Sequence, residues 1–190
     1  MSDESRDPAF TFRPIGEVRT PYARGWAPEQ PVERAPEAGR FRVELRPEYA
    51  PALRGLETFR YVYLITALDR VAEPVSLVVS PPWAGGKEAG LFATRAAARP
   101  NPIGLHVVRL LRVEGNVLHT WPIDVLDRTP LLDLKPYIRD LDSKGDADYG
   151  WLASFEGGRH LLEHLRGIPH DHQHDHAHGH AHGHDPDHQE

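Results

Sequence analysis

Two polar segments, separated by a strand-like run, carry the side chains best placed to do chemistry. The first is Arg95-Ala-Ala-Ala-Arg99-Pro100-Asn101-Pro102-Ile103-Gly104, and the second runs from Asp127 through Arg128, Thr129 and Pro130 to Asp133, Lys135 and Tyr137. Arg99, Asn101, Thr129 and Lys135 each stand directly before a proline. The proline ring drives the preceding residue out of helical geometry and fixes its own φ. A chain stiffened this way holds a guanidinium, an amide, a hydroxyl and an ammonium in set directions at little entropic cost, as a site for a small polar ligand requires. Asp133, Lys135 and Tyr137 lie two apart, so an extended segment puts an acceptor, a cation and a phenol on one face. Arg99 and Asn101 are expected to face an acceptor, because an asparagine amide both donates and accepts hydrogen bonds. The competing reading is plainer: prolines that shape turns, and an Asp133–Lys135 surface pair that contributes little. No residue stands out as a general base; Tyr137, Asp133 and Asp69 are candidates by position.

The elements that must position these residues read mainly as short strands. Phe10 to Arg19, Arg40 to Arg46, Tyr61 to Leu68, Val75 to Val79, Gly90 to Thr94, Gly104 to Val113 and Val117 to Trp121 each carry alternating or β-branched patterns. Glu114-Gly-Asn116 is a hairpin turn, and Pro47 to Gly55 suits a short helix with proline near its start and glycine past its end. Tyr22 to Gly39, with Pro28, Pro31 and Pro36, reads as a long loop of the kind that is functional or disordered. Tyr149 to Leu165 is a helix candidate weakened by Gly157-Gly158. Strands at this spacing predict a mainly β fold, a small closed or nearly closed barrel with a short helix and a C-terminal helical extension. The expected organisation is a disordered 1–9, a barrel domain over 10–140, an extension over 141–169 and a disordered His-rich tail over 170–190. Gly85-Gly86-Lys87 is not a phosphate loop, because Glu88 stands where a hydroxyl is needed and Pro81 where a glycine is.

Composition narrows the function classes. The chain has 190 residues and no cysteine, which excludes disulfides and thiolate metal sites. No apolar run approaches a membrane span, and the opening Met1-Ser-Asp-Glu-Ser-Arg-Asp is too polar for a signal peptide, so a cytoplasmic protein without membrane contact is expected. The formal charge of −6 owes most of its excess to Asp171, Asp175, Asp185, Asp187 and Glu190 in the tail. The body is close to neutral, so any nucleic acid must be met by a local basic patch.

The ordered run of Gly90-Leu-Phe-Ala-Thr-Arg95, Arg99-Pro-Asn-Pro-Ile-Gly104 and Thr129-Pro-Leu-Leu-Asp-Leu-Lys-Pro-Tyr137 resembles the TsaA-like, or TrmO, family of methyltransferases. Pro14-Ile-Gly16 and Arg19-Thr-Pro-Tyr22 fit that family's opening strand, and Arg54-Gly-Leu-Glu-Thr-Phe59 its helix-to-strand junction. The resemblance covers about Phe10 to Tyr137. It implies a small β-barrel that binds S-adenosyl-L-methionine without a Rossmann sheet and works as a homodimer. It also implies methylation of N6 of threonylcarbamoyladenosine, beside the anticodon of certain tRNAs. The family's cofactor site maps onto Pro28, Glu29 and Gln30 in the long loop, Leu68 and Asp69 at the end of a strand, Arg95 with Leu105, and Asp127, Arg128, Thr129 and Pro130. Gln30 and backbone groups would read adenine, and Asp127 or Asp69 would hold the ribose or amino group. Glu29 replaces an arginine of the family pattern, Arg128 a glycine, Tyr61 a histidine, and Ala96-Ala97 a Ser-Pro; Asp69 falls where an aromatic–histidine pair is common. These departures leave open a methyltransferase of the same fold acting on a small or metal-chelating metabolite.

The tail alternates imidazoles with Asp, Gln, Ala and Gly. His172, His174, His176, His178, His180, His182 and His184 suit nickel, zinc or copper, which makes a metal-handling binding protein a third alternative. His106, His119, His160 and His164 read as ordinary barrel or helix residues rather than ligands.

Overall fold

The computed structural model describes residues 10–23, 40–71 and 75–165. These fall into two compact units: the chain up to Pro81 together with Gly86–Ala147, and Pro82–Gly85 together with the chain from Asp148 onward. The first unit is built on β1 (Gly16–Arg19), β2 (Arg42–Leu45), β3 (Tyr61–Ala67), β6 (Ile103–Glu114), β7 (Val117–Thr120) and β8 (Thr129–Pro136). All neighbours are antiparallel, in the order β1-β2-β7-β6-β3-β8, and β8 pairs back onto β1, closing the sheet into a barrel. A short ribbon of β4 (Val78–Val79) and β5 (Ala89–Gly90) stands apart from it in pairing.

The core follows from period-two alternation. Val18, Val43, Val62, Leu64, Leu118 and Leu131 point inward and are fully buried, joined by Ile123 and Val125 from the connection after β7. Each such side chain contributes about 1.5–3 kcal/mol on leaving water. β3 alternates strictly and keeps Tyr61, Tyr63 and Ile65 on the outside.

Several expectations change. The first strand spans four residues, not ten, because Phe10 and Phe12 remain exposed and Pro14 precedes the pairing of Ile15 N–H with Leu131. The helix at 47–53 is a 3-10 helix carrying Pro51 inside it. The segment expected as a strand over 90–94 ends at Gly90 and turns into a 3-10 turn, Leu91–Ala93. Leu91 is buried and Thr94 N–H folds back onto its carbonyl. In the second unit, a 3-10 turn at Gly150–Ser154 leads into an α-helix, Glu156–Leu165, so Gly157 and Gly158 lie inside a helix. Packing explains the second: a Cβ at Gly158 would sit 2.0 Å from the Leu152 carbonyl oxygen. No described helix is long and apolar enough to cross a membrane.

A charged ladder crosses the barrel seam. Arg19 Nε donates to Asp127 Oδ1 at 3.0 Å, and its Nη1 reaches Glu17 and Glu44 at 3.3 Å each. The Thr20 amide donates to the same Asp127 oxygen at 3.1 Å. Burial pushes the Asp127 carboxyl up, but the hydrogen bonds from Arg19 and Thr20 outweigh it and hold the group below the usual carboxylate range. Glu44 is also lowered, first by its hydrogen bond from Arg42.

Two outcomes follow for stability. Because the folded carboxyls titrate below their unfolded values, their stabilisation is complete above the unfolded range near pH ~4 and is lost as pH falls through the folded one. Asp127→Asn should therefore cost ~1–3 kcal/mol at pH 7 and flatten the acid limb of a melting-temperature profile. Gly16→Ala should cost at least ~1–3 kcal/mol in denaturant titration, since its Cβ would lie 2.3 Å from the Glu44 carbonyl and 2.7 Å from Leu45 Cα, where only backbone can yield.

Candidate cofactor and acceptor site

One end of the barrel gathers the three segments that flank its strand termini. Leu68, just past β3, donates its N–H to the Pro102 carbonyl at 2.7 Å. Arg70 then reaches across and donates from Nη2 to the Asp127 carbonyl at 2.8 Å and to Thr129 Oγ1 at 3.2 Å. The strand end at Leu68-Asp69, the Asn101–Gly104 segment and the Asp127–Pro130 turn are thus joined by short polar contacts. Arg70 was not among the expected residues. Its place beside Asp69 at the end of a strongly patterned strand was the only available signal, because partners about sixty residues away leave no local trace.

The turn itself explains a departure from the family pattern. Arg128 adopts φ 64, the left-handed region that favours glycine, and its N–H donates to the Val18 carbonyl at 2.8 Å. Its side chain is mostly exposed, with Nε 3.8 Å from Asp127 Oδ2. Asp127 and Thr129 are less available than expected. Asp127 Oδ1 is held by Arg19 and Thr20, while buried Thr129 donates its hydroxyl to the Leu126 carbonyl at 2.8 Å and accepts from Arg70. Both shape the turn. Asp69 is more open: its side chain is 48% exposed, and Arg70 Nε donates to Oδ1 at 3.3 Å.

Arg99 also departs from the expectation that it faces an acceptor. Its Nη1 donates to the carbonyls of Thr94 at 3.0 Å and of Leu91 and Ala96 at 3.4 Å, and its guanidinium lies 5.5 Å from the Phe92 ring centroid. It staples its own loop. Asn101 is exposed beyond that staple, with its carbonyl accepting from Ile103 N–H at 2.8 Å, and Arg95 is exposed as well.

Asp133, Lys135 and Tyr137 do share one face, and a bulge decides which. Ile65 pairs with Asp133 whereas Thr66 pairs with Leu131, so Leu132 is an extra residue in β8. Leu131 points into the core before the bulge and Leu134 packs against the core after it, which leaves Asp133 and Lys135 outside. Lys135 Nζ lies 2.7 Å from Asp133 Oδ2, in an exposed pair. Tyr137 packs against Tyr63 and Tyr61, with ring centroids 5.5 and 6.3 Å apart. Burial, followed by nearby Asp142 and Tyr137, pushes the Tyr63 phenol up, so it stays protonated at neutral pH. This face lies along the barrel wall, and Tyr61 marks the opposite end of β3 from Asp69. Leu105 is on the outer face too, exposed with Ile103 and Val107 on neighbouring β6.

Pro28, Glu29 and Gln30 lie outside the described residues, as do the seven tail histidines expected to bind metal, His172 to His184. Among the described residues no group of three or more His, Asp or Glu side chains is placed to hold a metal ion.

Comparison with known proteins gives the family. The model of the tRNA-methyltransferase O N-terminal domain matches residues 17–143. A probable S-adenosyl-L-methionine-binding protein of Pyrococcus abyssi is 39% identical over 156 residues, covering 82% of this chain and 81% of that protein. The Escherichia coli tRNA (adenine(37)-N6)-methyltransferase is 34% identical over 153 residues, covering 77% of this chain and 65% of that one. A crystal structure of TrmO superposes with a TM-score of 0.62 at 35% identity, over 75% of this chain and 64% of the TrmO chain. This chain therefore spans somewhat less than two thirds of that structure. The matched span holds the barrel, the Asn101–Gly104 segment and the Asp127–Pro130 turn together, and the chain belongs to the tRNA-methyltransferase O family of enzymes.

Proposed function

We propose that this chain transfers a methyl group from S-adenosyl-L-methionine to N6 of an adenosine beside the tRNA anticodon, with threonylcarbamoyladenosine as the modified base. The observation that carries the reading is the meeting of Leu68-Asp69, Asn101–Gly104 and the Asp127–Pro130 turn at one end of the barrel. The cofactor, when bound, supplies a methyl group already activated on a sulfonium. The protein's task is then alignment and exclusion of water. The residues present fit such a ligand: Asp69 offers an open carboxylate for a hydroxyl or ammonium, and Leu105 and Ile103 offer apolar surface to a flat base.

On this reading Asn101 orients the acceptor through its amide, which the Pro100 and Pro102 rings hold in an extended chain. Arg99 acts one step back, by fixing the loop. Asp133 and Lys135 neutralise one another at rest, so an acceptor that engages Lys135 competes with a weak exposed pair. Of the three proton acceptors expected from sequence, this reading favours Asp69 and Asp133, because Tyr137 clusters with Tyr61 and Tyr63 toward the other end of β3. Exposed Ile103, Leu105 and Val107 form an apolar stripe along β6, beside Ile65 and Tyr63 on β3. That stripe supports a homodimer whose partner covers the outer face and completes the site.

The direct test incubates the full chain with labelled cofactor and unfractionated tRNA, then identifies the modified nucleoside by mass spectrometry. A methyl on threonylcarbamoyladenosine is expected, and label absent from RNA would overturn the acceptor. Asn101→Ala and Lys135→Ala should each lower single-turnover rates about tenfold or more, while cofactor affinity and melting temperature stay nearly unchanged. Wild-type rates in both would place the acceptor elsewhere. Light scattering at micromolar concentration should report a dimer that Leu105→Asp converts to monomer; a monomeric wild type would remove the assembly from the reading.

A further inference from the structure

Three side chains from three elements form a hydrogen-bonded chain inside the same end of the barrel. His106 on β6 points inward and its side chain is 11% exposed. Its Nδ1 lies 3.0 Å from Asp124 Oδ1, in the connection that leads from β7 to the Asp127 turn. Its Nε2 lies 3.1 Å from Oγ1 of Thr66 on β3, which is fully buried. A carboxylate only accepts, so the ring nitrogen facing Asp124 carries the hydrogen, and a neutral ring then accepts the Thr66 hydroxyl at Nε2. Gly104 lies directly beneath. A Cβ there would stand 2.3 Å from Thr66 Oγ1 and 2.6 Å from His106 Nε2. The glycine that ends the Asn101–Gly104 segment is thus the seat of the imidazole.

We propose that His106 is a positioning residue, a clasp that sets the separation between the Asn101–Gly104 segment and the connection running through Asp124 to Thr129. The ring sits two residues after Gly104, and Asp124 three residues before Asp127. The backbone bonds flanking that connection are Trp121 N–H to Arg109 and Asp127 N–H to Tyr22. Between them, among the described residues, the polar ties to the barrel wall are Thr20 Oγ1 to the Val125 carbonyl and the His106–Asp124 bond. Of these two side-chain ties, the second joins the connection to β6 near the proline-locked segment, whereas the Trp121–Arg109 bond meets that strand farther along. Its consequence for cofactor binding rests on the function proposed above; its effect on the connection itself does not.

The experiment uses the full chain with His106→Leu, Asp124→Ala, the double variant, and Asp124→Asn, which keeps an oxygen for the Nδ1 hydrogen. Amide hydrogen exchange is read at Asp127 and Arg128 in the cofactor-free protein, and S-adenosyl-L-methionine affinity by calorimetry. Each of the first two variants should speed exchange and weaken affinity about tenfold. The double variant should be little worse than either, because both remove one interaction. Asp124→Asn should stay near wild type. Unchanged exchange, multiplicative effects in the double variant, or an Asp124→Asn protein as impaired as Asp124→Ala would overturn the clasp. Should His106→Leu fail to fold, the contrast between the two Asp124 variants decides, since Asp124 is partly exposed. A wild-type chain that binds no cofactor would sink the proposed function, while the exchange measurement would still judge His106.

Discussion

One extra residue, Leu132, decides which side of the barrel wall the second polar segment occupies. A strand puts alternate side chains on opposite faces, so an unbroken β8 with Leu131 in the core would also turn Asp133 and Lys135 inward. Two charges in an apolar barrel interior are not sustainable without full compensation. The bulge opposite Ile65 and Thr66 resets the alternation: Leu131 and Leu134 both serve the core, while the carboxylate and ammonium meet solvent. The outward tyrosines of β3, which cluster with Tyr137, gain their neighbour by the same step. A rigid core and a polar outer face on one short strand depend on that single insertion.

Much of this was legible in the chain because it is written in local patterns. The alternation of Arg42 to Leu45 and Tyr61 to Ala67, the Glu114-Gly-Asn116 turn and the proline-stiffened segments all appear in the structure close to where periodicity puts them. What could not be read was of two kinds. Segments whose geometry is set by a distant partner came out differently: Leu91–Ala93 is a 3-10 turn because burial of Leu91 and the reach of Arg99 prevail over its strand-like composition. Side-chain commitments over long separations were also invisible. Asp127 and Thr129 looked available in sequence, yet Arg19, Thr20 and Arg70 engage them from 59 to 108 residues away. The resemblance located the site segments; it could not say which polar atoms in them are already used.

Arg128 shows how a departure from a family pattern can leave the fold intact. A non-glycine residue in the left-handed region costs about 1 kcal/mol or somewhat more. Here the backbone it strains is tied on both sides, by Asp127 N–H to Tyr22 and Arg128 N–H to Val18, and the side chain extends into solvent. The turn therefore keeps its shape with a cation at its tip. That cation sits where glycine would leave backbone bare, so the substitution changes the charge of the barrel end without moving the segments that form it.

The same bookkeeping of charges bears on how an RNA would be held. A nearly neutral body leaves few cations to spare, and several of them are engaged internally: Arg19 and Arg42 with Glu44, Arg70 with the Asp127 turn, Arg99 with its loop, Arg112 with Glu114, and Arg109 4.5 Å from the Trp121 ring centroid. Affinity built from phosphate contacts scales with the number of cations that displace counterions. These arginines are committed to the barrel wall, so among the described residues phosphate attraction falls to cations such as Arg128, Lys135 and Arg139, whose side chains are exposed. On the function proposed above, selection of one adenosine draws on shape and on directed hydrogen bonds at the site, since phosphate contacts carry no base information. Directed bonds demand a chain already held in place, which is what the prolines flanking Asn101 and the stapled Arg99 loop provide for the backbone. A second copy on the apolar β6 stripe, as proposed above, would double the cationic surface offered to one RNA.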